Sequence, residues 1–386
     1  MKAIVNGCLL VPGEDGHFVG QRGLAVLYDE RIEALVPQAE LAAGESGLEI
    51  VDAAGCYVAP GFLNIHIHGC GGADTMDDCA EALPCMQRLQ ARTGVTAFLP
   101  TTMTYDFPRI YRAFARIRTA MKGKSGGARI LGCHMEGPFI NAAHKGAQAA
   151  ENIVSADFER LAPYQDILRI VTLAPEELKG DYRFIEACRR AGILVSIGHS
   201  SADYETACEA IRHGAGHITH LFNAMTGLHH RRPGIVGAAL AGDAVCELIA
   251  DNVHVHPAAQ RIVYAAKRGQ NIVLITDSMR ACMQGDGVSE LGGQKVFVKG
   301  QTATLADGTI AGSVLTMDRA VKNFAENTGA GLAAVVELVT RVPAEELGLA
   351  ANFGVLAPGR YADLVIFDEK VQIQRTIVGG KAVYEK

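Results

Sequence analysis

Several features of membrane, secreted and nucleic-acid-binding proteins are missing from this sequence. No uncharged apolar run reaches the ~18 residues that a membrane span needs, and the start, from Met1 to Gly7, lacks the long apolar stretch of a signal peptide. The ten cysteines include no Cys-x-x-Cys pair, and the net charge of −6 provides no general basic surface for nucleic acid. We therefore predict a cytoplasmic protein with reduced thiols that binds neither membrane nor nucleic acid.

Length and composition indicate an ordinary globular protein. The 386 residues are 49% hydrophobic and 20% charged, which excludes a disordered or collagen-like chain. A chain of this length contains two or three domains of the usual size, or one large α/β barrel with an appendage.

Both ends of the chain consist of short apolar runs separated by turns, without a helical stripe of three turns. The runs near the start are 3–5, 23–27, 32–35 and 48–51, and those near the end are 363–367, 371–375 and 376–378. We predict that residues 1–57 and 359–386 pair into one small β-sandwich domain.

Between these ends, apolar strand candidates alternate with amphipathic helical segments. The strand candidates are 61–68, 95–100, 129–136, 167–174, 193–199, 217–222, 246–250 and 271–277, and helical segments include 106–121, 182–191, 202–212 and 258–267. Eight strands alternating with helices are the count of a (β/α)8 barrel, or TIM barrel, which we place at 58–358. An open doubly wound sheet is the alternative, although no Gly-x-Gly-x-x-Gly follows the first strand.

Four of these strand candidates end in residue types that bind metal ions. His66 and His68 stand at i and i+2, so both point to the same side of the first strand. Glu136 ends the third candidate, His199 the fifth, and His220 lies in the sixth. Because the C-terminal ends of barrel strands meet at one mouth, these side chains predict a site for one or two divalent ions.

Asp277 ends the eighth strand candidate and remains free as a carboxylate near a metal-bound water. The alternative explanation of the His66-x-His68 pair is two polar residues at the edge of a loop. A second such pair, His254 and His256, illustrates how readily the pattern arises.

Two segments after the sixth strand are suited to an anion. Asn223-Ala224 offers an amide and backbone N–H groups, and His229-His230-Arg231-Arg232 is the densest basic cluster, in which Arg231 can bind phosphate through two hydrogen bonds. An ordinary solvated loop is the alternative for this cluster. His254, after the seventh strand, either hydrogen-bonds substrate or belongs to an exposed loop.

The other histidines and the cysteines beside the site are expected to be structural. The histidines assigned to structural or surface positions are His17, His134, His144, His213, His217 and His256. Cys70 and Cys133 belong to no ligand pair and are predicted to be buried, inert thiols.

Taken together, these segments resemble the N-acetylglucosamine-6-phosphate deacetylase family of the amidohydrolase superfamily. The resemblance rests on 61–69, 134–139, 198–200, 219–225, 231–234, 276–277, 311–318 and 358–364. The His-Met-Glu-Gly-Pro and Thr-His-Leu-Phe-Asn-Ala-Met motifs are specific, whereas His-x-His is shared across the superfamily. The chain departs from the superfamily at Asn64, where Asp is frequent, but that residue precedes the ligands.

The resemblance implies roles for individual residues. Positions matching Glu136, His199 and His220 hold the main ion, and retention of His66 and His68 allows a second. The metal is then one or two ions of Zn, Fe, Mn, Co or Ni per subunit. The implied substrate contacts are Ala147, Asn223, Ala224, Arg231 and His254, with Arg231 lent by the neighbouring subunit of a homodimer.

The predicted reaction is hydrolysis of the acetamide of N-acetylglucosamine 6-phosphate to glucosamine 6-phosphate and acetate, with Asp277 and His254 as catalytic groups. The alternatives are an N-acetylgalactosamine-6-phosphate deacetylase, a cyclic-amide hydrolase of the same superfamily and a metal-binding barrel without catalysis. Cyclic-amide hydrolases usually carry a carboxylated Lys on the fourth strand, and the candidate at 167–174 has none.

Overall fold

The computed structural model describes residues 1–41, 47–123 and 126–386. In these ranges the strands are β1 (Lys2–Val5), β2 (Cys8–Pro12), β3 (Phe18–Arg22), β4 (Leu24–Tyr28), β5 (Ile32–Pro37), β6 (Glu49–Asp52), β7 (Tyr57–Pro60), β8 (Phe62–Ile67), β9 (Gly69–Cys70), β10 (Ala73–Asp74), β11 (Val95–Thr102), β12 (Arg129–Ile130), β13 (Cys133–Glu136), β14 (Leu168–Leu173), β15 (Leu194–Ile197), β16 (His217–Ile218), β17 (Val245–Ile249), β18 (Ile272–Ile275), β19 (Gly287–Leu291), β20 (Gln294–Lys299), β21 (Thr302–Thr304), β22 (Leu364–Phe367), β23 (Ile373–Val378) and β24 (Lys381–Glu385).

The α-helices of the same ranges are α1 (Ala82–Ala91), α2 (Phe107–Lys122), α3 (Arg183–Arg190), α4 (Tyr204–His213), α5 (Gly234–Ala241), α6 (Pro257–Ala266), α7 (Met317–Thr328), α8 (Leu332–Glu337) and α9 (Arg341–Glu346). Short 3-10 helices lie at Gln38–Glu40, Ala142–His144, Ala150–Asn152, Phe158–Arg160, Ala162–Tyr164 and Pro175–Leu178. Among the described residues, no helix combines the length and the apolar character that crossing a membrane requires.

The two ends of the chain form a β-sandwich. One sheet has the order β5-β4-β1-β6, and the other has the order β24-β23-β22-β7-β2-β3, so strands from both termini share the second sheet. Apolar side chains of both sheets, such as Ile4, Val26, Leu9 and Leu364, form a separate buried core. The sandwich confirms the predicted fold class, while the domain limits at 57/58 and 358/359 stay a prediction.

The middle of the chain forms a nearly closed barrel of eight parallel strands, as predicted. Parallel pairing runs from β8 through β11, β13, β14, β15, β16 and β17 to β18. The gap between the last and first strands is bridged where Asp277 N–H donates to the carbonyl of His66 at 3.0 Å. The strands are buried on both faces, as expected of a parallel sheet covered by helices.

Helix boundaries follow from local capping. The Asp106 carboxylate accepts from the N–H of Arg109 at 2.9 Å at the start of α2, and Asp203 caps α4 by accepting from Thr206 N–H at 2.8 Å. Gly214 ends α4 with φ +115°, a conformation that favours glycine. The four predicted helical segments correspond to α2, α3, α4 and α6 with limits shifted by one or two residues.

Two barrel strands differ from the prediction. The segment at 129–136 is split into β12 and β13 by Gly132, whose φ is +149° and where a Cβ atom would meet the carbonyl of Ile167 at 2.5 Å. The segment at 217–222 is a strand only over β16, because His220 and Phe222 adopt positive φ and turn the chain out of the sheet.

An antiparallel sheet that the sequence analysis did not predict, β19-β20-β21, lies between the last barrel strand and α7. It contacts the loop after β13, where Gln294 Nε2 donates to the carbonyl of Ala147 at 2.6 Å. This contact attaches the small sheet to the C-terminal mouth of the barrel.

Candidate metal centre and active-site cavity

The ligand-type side chains predicted at the strand ends converge at the C-terminal mouth of the barrel. All of them are buried, and they leave β8, β13, β15, β16 and β18; they are His66, His68, Glu136, His199, His220 and Asp277. The sequence separates these residues by up to 211 positions, so the barrel topology is what unites them.

One group of ligand atoms surrounds Glu136 Oε1. His199 Nε2 lies 3.2 Å and His220 Nε2 lies 3.0 Å from this oxygen, and the two nitrogens are 3.1 Å apart. A second group shares the same carboxylate, with His66 Nε2 3.5 Å from Oε1 and His68 Nε2 3.3 Å from Oε2. Glu136 therefore connects two sets of candidate ligands, as one or two ions would require.

Asp277 closes the second group. Its Oδ1 lies 3.4 Å from His66 Nε2 and 3.2 Å from His68 Nε2. A carboxylate in this place lies beside any ion held by His66 and His68. It is not needed as a ligand of an ion held by His199 and His220.

Backbone strain is concentrated at these strand ends. The φ angles of His199, His220 and Asp277 are 48°, 29° and 47°, in the left-handed region that non-glycine residues rarely adopt. Such a conformation costs on the order of 1–3 kcal/mol per residue, so surrounding contacts must impose it. At His220, the backbone N–H donates to the buried Glu247 carboxylate at 3.1 Å. The turns aim the side chains into the mouth instead of along the barrel wall.

Hydrogen bonds at Nδ1 determine which ring nitrogen of three histidines remains a ligand. His66 Nδ1 faces Glu247 Oε2 at 2.8 Å, His68 Nδ1 faces the carbonyl of Thr101 at 3.2 Å, and His199 Nδ1 faces the carbonyl of His144 at 2.9 Å. These oxygens only accept, so each Nδ1 carries the proton, and when the ring is neutral each Nε2 has a lone pair available to a metal ion.

The charges of the cluster balance each other. Burial alone would raise the pKa of Glu136, but the imidazoles of His66 and His199 hold that pKa well below its usual range. Burial likewise works against the charge of Asp277, whose pKa is nevertheless lowered by His66 and His68. Burial opposes protonation of His220, yet the hydrogen bond to Glu136 raises the pKa of His220 to about 9. The centre thus holds ionised carboxylates that need positive charge nearby.

These residues fit a divalent ion. His66 Nε2 is fully buried and has no hydrogen-bond partner among the described residues. The Nε2 atoms of His199 and His220 both approach one carboxylate oxygen, where a cation satisfies all three atoms together. Imidazole nitrogen and carboxylate oxygen are ligand types of Zn, Fe, Mn, Co and Ni.

A cavity of about 380 Å³ opens above the ligands. Among the other predicted site residues, its lining includes Ala147, Asn223, Ala224 and His254. The cavity is within the usual size range for a small-molecule site. The structure therefore brings the predicted metal-ligating, catalytic and substrate-contacting positions to one place, with a single exception.

The exception is Arg231. It lies on an exposed loop, contacts His230 Nε2 at 2.8 Å and lines a different surface depression with Tyr204 and Glu205. Within one chain, Arg231 does not line the cavity above the metal ligands.

His254 lies at the cavity wall with one nitrogen already engaged. Its Nδ1 contacts Asp251 Oδ2 at 2.6 Å, and because a carboxylate only accepts, Nδ1 carries the proton. His254 Nε2 therefore accepts from a substrate hydroxyl when the ring is neutral, and donates to a substrate oxygen only as the imidazolium.

Sequence reasoning missed several residues of the site. Gln148 donates to Glu136 Oε2 at 2.6 Å, His144 lines the cavity, and Leu291 and Ile310 reach it from the segment around the small antiparallel sheet. Glu247 was also missed, although a charged residue inside the apolar strand Val245–Ile249 is a signal that could have revealed it.

The chain is similar to known proteins in both sequence and structure. Residues 57–383 match the model of the Amidohydrolase family. The chain is 40% identical over 344 residues, 87% of each protein, to the N-acetylglucosamine-6-phosphate deacetylase of Bacillus subtilis (strain 168). It is 37% identical over 329 residues, 84% of this chain and 87% of the relative, to the N-acetylgalactosamine-6-phosphate deacetylase of Escherichia coli O157:H7. The crystal structure of the N-acetylglucosamine-6-phosphate deacetylase of Pasteurella multocida superimposes with a TM-score of 0.92 over 99% of each chain at 28% identity.

Proposed function

Because the chain belongs to the amidohydrolase family, we propose that it is the hydrolase that removes the acetyl group of N-acetylglucosamine 6-phosphate, giving glucosamine 6-phosphate and acetate. The observation that carries the proposal is the meeting of Glu136, His199 and His220 beside Asp277, at the floor of a small-molecule cavity. Relatives with this activity match most of the chain at about 40% identity, which supports the same substrate here.

We assign the main divalent ion to Glu136, His199 and His220, and a second ion to the group of His66, His68 and Glu136. The chemistry supplied by a bound divalent ion is polarisation of the amide carbonyl and acidification of the attacking water. His66, His68 and His199 are held in place through their Nδ1 hydrogen bonds, and His220 is held through its backbone N–H, which donates to Glu247.

Asp277 acts as the general base and acid. Its lowered pKa keeps the carboxylate ionised near neutral pH, so it accepts the proton of the attacking water. It then gives that proton to the departing nitrogen, which needs it because an amide anion is a poor leaving group.

The remaining cavity residues position the sugar. His254 contacts the acetyl oxygen or a neighbouring hydroxyl from the cavity wall, and its partner Asp251 fixes the orientation of the ring. Asn223 and Ala224 bind the phosphate together with Arg231, and Ala147 forms part of the wall against the sugar. Fixing the phosphate far from the reacting bond directs binding energy into orienting the acetyl group.

We infer that Arg231 acts from the partner subunit of a homodimer, because it is exposed and does not line the cavity of its own chain. We place the enzyme in the cytoplasm, since all ten cysteines are free and a reducing compartment keeps them so.

The direct test is acetate release by the purified protein after metal is added to a chelator-treated sample. N-acetylglucosamine 6-phosphate and N-acetylgalactosamine 6-phosphate are compared by kcat/KM for acetate release, and dihydroorotate is tested separately for hydrolytic ring opening. We expect metal-dependent acetate release with preference for the gluco sugar. Preference for the galacto epimer would support the activity named for the Escherichia coli relative. Absence of acetate from both sugars would contradict deacetylation.

A further inference from the structure

Glu247 is a buried carboxylate that the proposed reaction does not use. It lies in the middle of β17 between Cys246 and Leu248, and its exposed fraction is 0%. A carboxylate in such surroundings is costly unless donors satisfy it. Three groups do so: His66 Nδ1 at 2.8 Å, His220 N–H at 3.1 Å and His217 Nε2 at 3.3 Å.

Two of these three contacts are to the proposed metal ligands. The contact to His66 determines the tautomer of a ring whose Nε2 has no hydrogen-bond partner within the described chain. The contact to the His220 N–H holds a residue whose φ is 29°. Glu247 therefore contacts a residue of each ligand group. It contacts the ring of His66, whereas at His220 it contacts only the backbone N–H.

The group formed by His66, His134 and Glu247 resembles a third metal site in ligand type, but it is a hydrogen-bonded network instead. His134 Nδ1 contacts the carbonyl of Ile65 at 3.2 Å, and His134 Nε2 contacts Thr172 Oγ1 at 2.7 Å. With both nitrogens engaged, His134 has no lone pair to offer an ion, which leaves orientation of its neighbours as the role of Glu247.

Glu247 is itself supported by His217, on the neighbouring strand β16. His217 Nδ1 lies 3.1 Å from Glu346 Oε1, so His217 joins two carboxylates. Burial opposes the charge of His217, but hydrogen bonds to Glu247 and Glu346 raise its pKa to about 9, so it is an imidazolium near neutral pH. Hydrogen bonds thus connect Glu346 through His217 and Glu247 to the proposed ligand His66.

We propose that Glu247, supported by His217 and Glu346, is a positioning residue that prepares His66 for the second ion. Its carboxylate holds the Nδ1 proton of His66 and makes Nε2 a stronger ligand, as carboxylates behind metal-bound imidazoles do. This inference rests on the proposed metal centre, while it is independent of which sugar the enzyme accepts. Loss of the Glu247 charge selectively weakens metal binding at His66 and His68.

The test is titration of metal-free protein with Co²⁺, followed by visible absorption and by metal content after equilibrium dialysis. Wild type should bind two ions per subunit. Glu247→Gln preserves the shape of the side chain and one acceptor oxygen. It should lower the affinity for the second ion by about 10–100-fold and leave the affinity for the first ion unchanged. Glu346→Gln changes a side chain that is 18% exposed, so this variant should fold even if Glu247→Gln does not. It should weaken binding of the second ion by a smaller factor.

Glu337→Gln is the matched control. Like Glu247, Glu337 is a buried carboxylate; it accepts from the Phe18 N–H at 2.6 Å and faces His17 Nδ1 at 3.3 Å. Unlike Glu247, it has no hydrogen bond or ion pair to the proposed metal ligands. We expect this variant to lose thermal stability and to keep both ions.

Three outcomes would overturn the proposal: a single ion in wild type, wild-type affinity for the second ion in both Glu247→Gln and Glu346→Gln, or equal loss of both ions in Glu247→Gln. Acetate release by wild type is measured separately. Failure of the deacetylase assignment is therefore distinguishable from failure of the role of Glu247.

Discussion

The buried imidazolium of His217 predicts a specific loss of stability at alkaline pH. The folded protein raises the pKa of this group to about 9, from an unperturbed value of 6.5. Because the folded-state pKa is the higher one, the stabilisation is complete below about pH 6.5 and disappears as pH rises through about 9. The difference of about 2.5 pKa units corresponds to roughly 3 kcal/mol, of which about 2 kcal/mol is lost between pH 7 and 9.

The measurement is urea denaturation of wild type and His217→Gln at several pH values from 6 to 10, with metal at saturation. Other groups titrate in this range, so the informative quantity is the difference in unfolding free energy between the two proteins. That difference should shrink by about 2 kcal/mol as pH rises from 7 to 9. His213→Gln is a suitable control because His213 also joins two carboxylates, Glu186 at 3.0 Å and Glu209 at 3.3 Å, but its side chain is 34% exposed. Solvent screens such surface pairs, so this control should differ little from wild type at any pH. Parallel curves for wild type and His217→Gln would refute a charged His217.

Three further predictions follow from the site and the barrel. Asp277→Asn should keep both metal content and substrate binding while kcat falls by about 10²–10⁴-fold, and near wild-type turnover would remove Asp277 from the mechanism. Arg231→Ala should raise KM for the phosphorylated sugar. If Arg231 acts in trans, mixing this variant with an equal amount of Asp277→Asn subunits should restore about a quarter of the wild-type sites. No recovery after subunit exchange would place Arg231 outside the partner's site. Lys267→Met should lower the unfolding free energy by about 3–5 kcal/mol, since its Nζ donates to the carbonyls of Ala239, Gly242 and Ala244 at 2.9, 2.8 and 2.7 Å, and an unchanged urea midpoint would contradict this.

The parts of the fold that were predictable have local signals. Strands such as β18 are continuous apolar runs, and helices such as α4 combine an apolar stripe with an Asp at the start and a Gly at the end. The proposed ligands were found because each is a ligand-type residue next to the end of an apolar run. A barrel brings such ends together irrespective of the distance along the chain.

The missed features depend on contacts that no local pattern records. Glu247 meets its partner His66 across 181 residues, and Gln148 reaches Glu136 from a loop without regular structure. The small antiparallel sheet was missed because β19 is largely exposed, although β20 alternates buried Val296 and Val298 with exposed neighbours. The early end of β16 follows from the positive φ of His220, which the hydrogen bond to the Glu247 side chain supports.

The interior of this barrel is more polar than barrel interiors filled with branched aliphatic side chains. Buried hydrogen bonds connect His134 to Thr172, Thr172 to Thr219, and Thr219 to Ser196, with oxygen–oxygen distances of 2.7 and 2.5 Å between the hydroxyls. Each ligand at the mouth needs a partner at its other ring nitrogen or at its backbone, and each partner must in turn be satisfied without water. The demand for hydrogen bonds therefore spreads from the metal centre into the barrel, until a group such as Glu346 reaches the surface. Replacing one buried member by an apolar residue leaves its neighbours unsatisfied, which couples the stability of the barrel to the geometry of the site.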